Sequence, residues 1–440
     1  MNKEMYDLVG LAIKNAKSAG ADECRVSMNS RRFVNISYRE RKPETIKEAS
    51  TRSFGIEVFV NGRYSSQSTS DLRKSALKDF ISNAIAMTKL LEEDPYRTLP
   101  DPKYYKERAN LDLGQLDPDY KKFSPEDRHN MVKAMEESCL AKGGKKVISV
   151  TANEYDEHGE VLLMASNGFE GSEENTVFQA WAQITVQGEG DRRPTGFDYA
   201  VSFIRKNLPT PEKIGAGAAR RTLNLLGGKK IKTETLPIII ENRNVPRILN
   251  GFLAGMYGSN IQQKRSFLAD KKGKKIASKH FTLIDDPFVV SGLGSRLFDN
   301  DGIAAKKRTM VDSGVLKEFY VDWYYSKKLG WEPTTGGTSN LIIPPGKRSV
   351  KEIMKDLGRG IFITGFIGGN SNSTTGDASV GIFGKLFENG EPVQSVAEMN
   401  IAGNHLKFWN NLIEVCNDPW IYSSWRTPSL VFKDVVVSGL

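Results

Sequence analysis

The segment 53–91, SFGIEVFVNGRYSSQSTSDLRKSALKDFISNAIAMTKLL, holds the pattern of a strand, a hairpin turn and a helix in succession. Residues 53–60 form an apolar β-type run that ends at Asn61-Gly62, a pair that tolerates the positive φ angles of a tight hairpin. Asp71 is the predicted N-cap of a helix that extends to Leu91. Apolar side chains recur on one face of this helix, at Leu72, Ala76, Leu77, Phe80, Ala84, Met87 and Leu91. A hairpin followed by an amphipathic helix indicates a sheet with helices packed on it.

The same patterns continue on both sides of this segment. Apolar spacing predicts a first helix that ends at Gly20, and Ser124, Thr210 and Ser349 each begin a helix by capping chemistry. From Phe281 onward the chain consists mostly of short β-type runs separated by turn residues. The sequence therefore predicts an α+β fold. We expect an N-terminal α/β region at 1–228, with a possible internal linker at 92–125, and an antiparallel β-rich half at 229–440.

Composition and charge exclude several classes of protein. The chain has 440 residues, and its 62 basic and 53 acidic residues give a net charge of +9 that is scattered along the sequence. Without a basic stripe interleaved with aromatic residues, nucleic-acid binding is disfavoured. No apolar run is long enough to span a membrane, and the N-terminus lacks a signal-peptide core. Three widely spaced cysteines suggest free thiols in a reducing compartment, so we expect a cytoplasmic protein.

No catalytic group is evident in the sequence. The four histidines are too far apart to provide the closely spaced ligand pair of a typical zinc site, and no Gly-x-Ser-x-Gly nucleophile elbow is present. Each histidine is interpreted as an ordinary surface or packed residue: His129, His158, His280 and His405. Cys139 lies on an apolar helix face and Cys416 in a loop-like context, and packing is the favoured role for both. The glycine-rich stretch 365–377 lacks the spacing of a phosphate-binding loop, so it is interpreted as a long polar loop of potential functional use.

Several stretches in order resemble the TldD/PmbA family, also called modulator of DNA gyrase. They cover most of the second half, whereas the first half matches more loosely around residues 54–56 and the helix after Asp71. The matching stretches are residues 266–276, 299–303, 307–309, 312–317, 328–330, 387–393, 401–404 and 417–419. In this family one branch carries a His-Glu-x-x-x-His zinc motif and a C-terminal cysteine, and the other branch, PmbA or TldE, lacks the motif.

The resemblance places the motif positions at Asn250 and Gly255 for the histidines and at Gly251 for the glutamate. The region of the C-terminal cysteine corresponds to residues 423–428, which contain no thiol. The resemblance therefore implies the branch without zinc, with no metal and no cofactor in this chain and with zinc only in a TldD-like partner. It further implies that the chain binds extended peptides and completes the active-site chamber of that partner. The candidate chamber residues are Gly368, Gly369, Asn370, Thr374, Thr375 and Gln262.

Other interpretations stay open at this point. The chain could be a metallopeptidase that is active by itself through an unrecognised site, or a regulatory protein associated with DNA gyrase. The natural peptide is not evident from the sequence, and a homodimer is an alternative to assembly with a TldD-like subunit.

Overall fold

The structure is a computed structural model that describes residues 3–439. The α-helices are Lys3–Ser18 (α1), Lys74–Thr88 (α2), Pro125–Gly143 (α3), Pro211–Leu223 (α4), Val245–Leu253 (α5), Gly258–Gln262 (α6), Trp323–Leu329 (α7), Val350–Leu357 (α8) and His405–Asn410 (α9). The strands of the first half are Glu23–Arg39 (β1), Lys42–Val60 (β2), Arg63–Thr69 (β3), Val147–Ala165 (β4), Glu170–Val186 (β5) and Thr195–Ser202 (β6). The strands of the second half are Glu234–Ile240 (β7), Leu283–Asp286 (β8), Arg308–Asp312 (β9), Val315–Leu316 (β10), Asn340–Ile342 (β11), Arg359–Ser371 (β12), Asp377–Glu388 (β13), Glu391–Asn404 (β14), Leu412–Val415 (β15), Trp425–Arg426 (β16) and Leu430–Ser438 (β17).

The first half forms one antiparallel sheet in the order β3-β2-β1-β4-β5-β6. Helices α1 and α2 pack on one end of this sheet, and α3 and α4 pack on the other end. Strand β1 is long enough to serve both cores, because Val26 and Met28 lie under the first helix pair and Val34 and Ile36 under the second. The alternation of side chains along a strand puts these four residues on one face, which is the face the helices cover.

The second half contains two sheets. The larger has the order β14-β13-β12-β7-β17-β15, and β14 also pairs with β17, so five of its strands form a closed ring. The smaller has the order β10-β9-β8-β11-β16. Aromatic side chains fill the core beside α5 and α9, where the ring centroid of Phe281 lies 4.4 Å from that of Trp409 and 5.7 Å from that of Phe252. The structure therefore confirms the α+β class, and the strands named here pair antiparallel except for the parallel pairs β7–β12 and β11–β16.

The segment 92–125 has two short 3₁₀ turns before α3 begins at Pro125, but it is not a free linker. The indole nitrogen of Trp323 donates a hydrogen bond to the Thr98 hydroxyl at 2.9 Å. The Tyr324 hydroxyl donates to Asp94 at 2.7 Å. The two halves also meet directly, since Arg25 forms ion pairs with Glu57 at 2.8 Å and Asp301 at 2.9 Å.

Local capping chemistry predicted some helix ends correctly and others wrongly. The capping boxes of Ser124 with Asp127 and of Ser349 with Glu352 are present. The prediction of an Asp71 cap is wrong, because α2 begins at Lys74 and the Asp71 carboxylate instead accepts hydrogen bonds from the backbone and side chain of Arg73. Helix α2 also ends at Thr88, which leaves Leu91 beyond it and half-exposed.

The region around α5 departs from the predicted structure in two ways. The sequence pattern of residues 244–257 predicts one continuous helix, but α5 ends at Leu253, and a 3₁₀ turn and the short α6 follow it. The stretch 365–377 is not a long loop, because β12 continues to Ser371 and β13 begins at Asp377. The polar residues of this hairpin are strands because their backbones pair across it. Their sequence shows no apolar alternation that would have predicted these strands. No helix among residues 3–439 is both long enough and apolar enough to cross a membrane.

Candidate functional site

The tip of the β12–β13 hairpin lies against α5 and the segment that follows α6. The Arg247 guanidinium, on α5, donates a hydrogen bond to the carbonyl of Gly368 at 2.6 Å. The backbone N–H of Phe267 donates to the carbonyl of Ser373 at 2.8 Å. The hairpin tip is therefore in contact with both α5 and the segment after α6. We call the surface formed by Asn250, Gly251 and Gly255 the α5 face.

Two side chains occupy the space in front of Gly251. A Cβ atom added to this glycine would lie 2.8 Å from both Nε2 of His405 and Oγ of Ser371, closer than real Cβ contacts come. Ser371 Oγ and His405 Nε2 are themselves 2.8 Å apart and share a hydrogen bond. Glycine at 251 thus lets a serine–histidine pair approach the helix backbone directly.

The imidazole of His405 is held in an apolar setting. It is 4% exposed and stacks on the ring of Phe267, with centroids 5.8 Å apart. Burial lowers the pKa of His405 to about 4, and the nearby negative charge of Asp377 only partly opposes this shift. The imidazole is therefore neutral at physiological pH. A base this weak is poorly suited to take a proton from Ser371, which favours a packing role for the pair over that of an activated nucleophile.

The space at Gly255 is also filled. A Cβ atom on this buried glycine would lie 2.9 Å from the ring of Phe267 and 3.1 Å from Leu268 Cγ. The Ser266 hydroxyl donates to the Gly255 carbonyl at 2.5 Å. Asn250 is exposed. Glycine supplies no ligand, and neither glycine position has room for a larger side chain, so the residues of the α5 face do not fit a zinc ion.

Away from the α5 face, the described part of the chain also lacks clustered metal ligands. Among residues 3–439, no group of three or more His, Cys, Asp or Glu side chains is placed to hold a metal ion. The three thiols are buried, and burial raises the pKa of Cys24 to about 11 and those of Cys139 and Cys416 to about 12. Protonated, buried thiols are poor nucleophiles and poor ligands.

The hairpin contains five of the six predicted chamber residues. Gly368 and Gly369 form a bulge in β12 with φ angles of +56° and +92°, and a Cβ on Gly369 would lie 2.6 Å from the Ser379 carbonyl. Asn370 pairs with Ser379 across the hairpin. The amides of the exposed residues Thr374 and Thr375 both donate to the Asn372 side chain, which fixes the turn. Gln262 is the last residue of α6, and no hydrogen bond joins it to the hairpin among the described residues.

Sequence reasoning missed the Ser371–His405 pair and treated His405 as an ordinary residue at a strand border. The two residues are 34 positions apart and share no local motif. They meet because Ser371 pairs with Ala378 and Ala378 pairs with Gly403, which brings the ends of β12 and β14 to the same end of the sheet. The contact could have been predicted only if the register of strands β12, β13 and β14 had been known.

Comparison with known proteins gives the family. The sequence matches three PmbA/TldA metallopeptidase domains in order: domain 1 at residues 24–88, the central domain at 118–226 and the C-terminal domain at 233–439. A crystal structure from Bacteroides thetaiotaomicron, described as a candidate modulator of DNA gyrase, is 38% identical, with a TM-score of 0.97 over 100% of both chains. The chain belongs to the PmbA/TldD family. The names of relatives in this family are therefore relevant to its function.

Curated relatives carry a peptidase name. The metalloprotease PmbA of Escherichia coli O157:H7 is 27% identical over 98% of this chain and 94% of its own length. A PmbA homologue from Haemophilus influenzae is 26% identical over 99% of this chain and 96% of its own length. The structure of TldE from Thermococcus kodakarensis shares the fold, with a TM-score of 0.87 at 22% identity over 98% of this chain and 100% of that one. The family and these names support a peptidase-related role.

Proposed function

We propose that this chain is a non-catalytic, TldE-like subunit of a TldD-type metallopeptidase, which binds extended peptides and completes the chamber of a zinc-bearing partner. In this proposal the chain contains neither zinc nor another cofactor, and hydrolysis occurs on the partner. The division into parts 1–228 and 229–440 belongs to the same proposal, with the second part facing the partner.

The observation that carries the proposal is the packing of the α5 face. The family resemblance aligns the catalytic glutamate with Gly251, and the Ser371–His405 pair leaves no room there for even a methyl group. A zinc-activated water needs an open coordination position and a nearby carboxylate. Ser371 and His405 fill the space in front of Gly251, and the residue aligned with the glutamate has no carboxylate, which supports the absence of such a centre.

Peptide binding is supported by the exposed hairpin beside that face. Asn370, Thr374 and Thr375 are exposed and offer side-chain amide and hydroxyl groups. Extended peptides are held mainly by main-chain hydrogen bonds to strand edges and by such polar groups. In our proposal the hairpin tip reaches toward the chamber of the partner and limits how a peptide enters it.

Cleavage by the mixed complex tests the proposal. We expect the triple variant N370A/T374A/T375A to lower the stimulation of a His-Glu-x-x-x-His partner by about tenfold, because the hairpin loses three polar contacts worth about 0.5 kcal/mol or more each. These substitutions avoid Gly368 and Gly369, whose positive φ angles would make any replacement strained. The measurement is the rate of peptide cleavage at a fixed ratio of the two chains, with assembly checked by gel filtration.

The matched control removes three exposed polar side chains from α2, in the variant S75A/S82A/N83A. The control should stimulate the partner as the unmodified chain does. Equal stimulation by both triple variants would remove the hairpin from the proposal, and no stimulation by the unmodified chain would remove the subunit role.

A further inference from the structure

A long groove lies between the sheet of the first half and the larger sheet of the second half. One part, of about 640 Å³, lies between β6 and the region where α4, β12 and β13 meet. The other part, of about 1080 Å³, continues along the loop before β6 to β14. Thr195, Leu225 and Phe383 line both parts, so the two parts adjoin at these residues. We call it the inter-sheet groove.

The groove carries an excess of positive charge. Seven basic and four acidic side chains line it. Three of the arginines are neutralised by ion pairs, in which Arg192 meets Glu398, Arg221 meets Glu241 and Arg243 meets Asp198. The other four basic residues are exposed and form no ion pair with any residue in 3–439: Arg193, Arg220, Lys229 and Lys230. Exposed cations without an internal partner favour a ligand with carboxylates.

One wall of the groove is the edge of a sheet. Strand β6 is the last strand of its sheet, and its outer edge pairs with no other described strand. Its side chains Phe197 and Tyr199 stack with centroids 6.0 Å apart, and Phe197 is 54% exposed. On the opposite side, Ile367 of β12 is 67% exposed. A free strand edge flanked by exposed apolar side chains is the surface that β-augmentation uses.

The depth of the groove depends on a glycine. Gly365 of β12 is paired with Phe383 of β13, and a Cβ on Gly365 would lie 2.0 Å from the Phe383 ring. The ring lies directly against the glycine, and Phe383 lines both parts of the groove. Any larger residue at 365 would push the Phe383 ring upward into the channel.

We propose that the inter-sheet groove binds an extended peptide segment rich in acidic side chains, which adds to the edge of β6 while its carboxylates meet the four unpaired cations. This inference rests on the proposed role in peptide handling and adds to it a binding site and a substrate class. The edge of β6 favours a peptide over a nucleic acid, because only a polypeptide backbone can add to a sheet as a further strand.

Fluorescence anisotropy with the full chain alone tests this site. The probe is a fluorescein-labelled peptide of about ten residues with alternating valine and glutamate, the length of one strand. The comparison probe alternates valine and lysine. We expect the acidic probe to bind at least about tenfold more tightly than the basic one, with an affinity that falls as salt rises.

Charge reversal locates the binding. The variant R193E/K229E should weaken binding of the acidic probe by about tenfold or more, and the neutral variant R193Q/K229Q by a smaller factor. The matched control, K74E/K78E, reverses two exposed lysines on α2 that form no ion pair among the described residues, and it should bind as the unmodified chain does. Circular dichroism of each variant checks that it is folded.

Several results would overturn the inference. The first two are no binding of the acidic probe and equal binding of the acidic and basic probes. The third is an equal loss of affinity in R193E/K229E and in the α2 control. The fourth is displacement of the probe by single-stranded DNA at a lower concentration than by unlabelled acidic peptide. The cleavage assay with a partner tests the subunit role separately. Acidic-peptide binding that depends on Arg193 and Lys229 supports the groove whatever that assay gives, and its absence removes the groove even if the partner is stimulated.

Discussion

The α5 face and the inter-sheet groove both border strand β12, but they differ in how their space is used. At the α5 face, Ser371 and His405 lie against the backbone of Gly251 at contact distance. In the groove, exposed cations and the edge of β6 surround an open channel. The position at which the family resemblance expects chemistry is therefore filled by packed side chains, whereas the groove that we propose as a peptide site is open. Under the proposed function, the chain would bind a peptide without a catalytic centre of its own.

The largest expected effect on stability comes from placing a glutamate at position 251 on the α5 face. Gly251→Glu would force a side chain into the space of Ser371 and His405, and we expect this overpacking to destabilise the fold by about 3 kcal/mol or more. Urea denaturation of the variant and the unmodified chain measures this difference.

A second helical glycine provides the control. Gly10 lies on the exposed side of α1, and a Cβ atom at this position would have no neighbour within 4 Å. Gly10→Ala should therefore stabilise the chain by about 0.5–1 kcal/mol, as expected for an exposed helix position. If Gly251→Glu were as well tolerated as Gly10→Ala, the α5 face would be open and the comparison would fail.

The next largest effect is a pH dependence due to His405. Its pKa falls from 6.5 to about 4 on folding, so between these values the unfolded chain binds more protons than the folded chain. The neutral imidazole contributes about 3 kcal/mol to the free energy of unfolding above pH 6.5. This contribution is lost as the pH falls toward 4. Unfolding free energies measured across this range should show the decline.

The variant His405→Gln isolates this contribution, because glutamine can still hydrogen bond to Ser371 but does not titrate. Its stability should fall less steeply with acid than that of the unmodified chain. Parallel pH profiles for the two proteins would show that His405 is not buried in its neutral form.

The smallest expected effect on stability belongs to the groove. Phe197 is 54% exposed, so Phe197→Ser should change the free energy of unfolding by no more than about 0.5 kcal/mol. The same change should weaken binding of the acidic peptide by about threefold or more, since an exposed aromatic contact is lost. Anisotropy and denaturation measured on one preparation separate the two quantities. Equal affinity before and after the substitution would exclude Phe197 from the binding surface.

The parts of the fold that were predictable from the sequence depend on short-range chemistry. The capping boxes at Ser124 and Ser349 involve residues three positions apart, and both are present. Asp71 shows the limit of such signals, because the nearby Arg73 takes its carboxylate and the helix begins later. A cap residue identifies the neighbourhood of a helix start but not its first residue.

The Ser371–His405 pair and the inter-sheet groove could not be predicted from such short-range signals. Ser371 meets His405 through the register of three strands, and the groove joins Thr195 of the first sheet to Phe383 of another. Neither contact leaves a periodic pattern in the sequence. The polar ends of β12 and β13 were likewise interpreted as a loop. They are strands because their backbones pair with each other, and their hydrophobicity gives no sign of this pairing.

The non-catalytic subunit role is tested by the zinc content and peptidase activity of the purified chain, measured alone and after mixing with a His-Glu-x-x-x-His partner. We expect no stoichiometric zinc, no cleavage by the chain alone, and stimulated cleavage on mixing. Stoichiometric zinc with chelator-sensitive cleavage by the chain alone would contradict this role and would place a catalytic centre away from the α5 face.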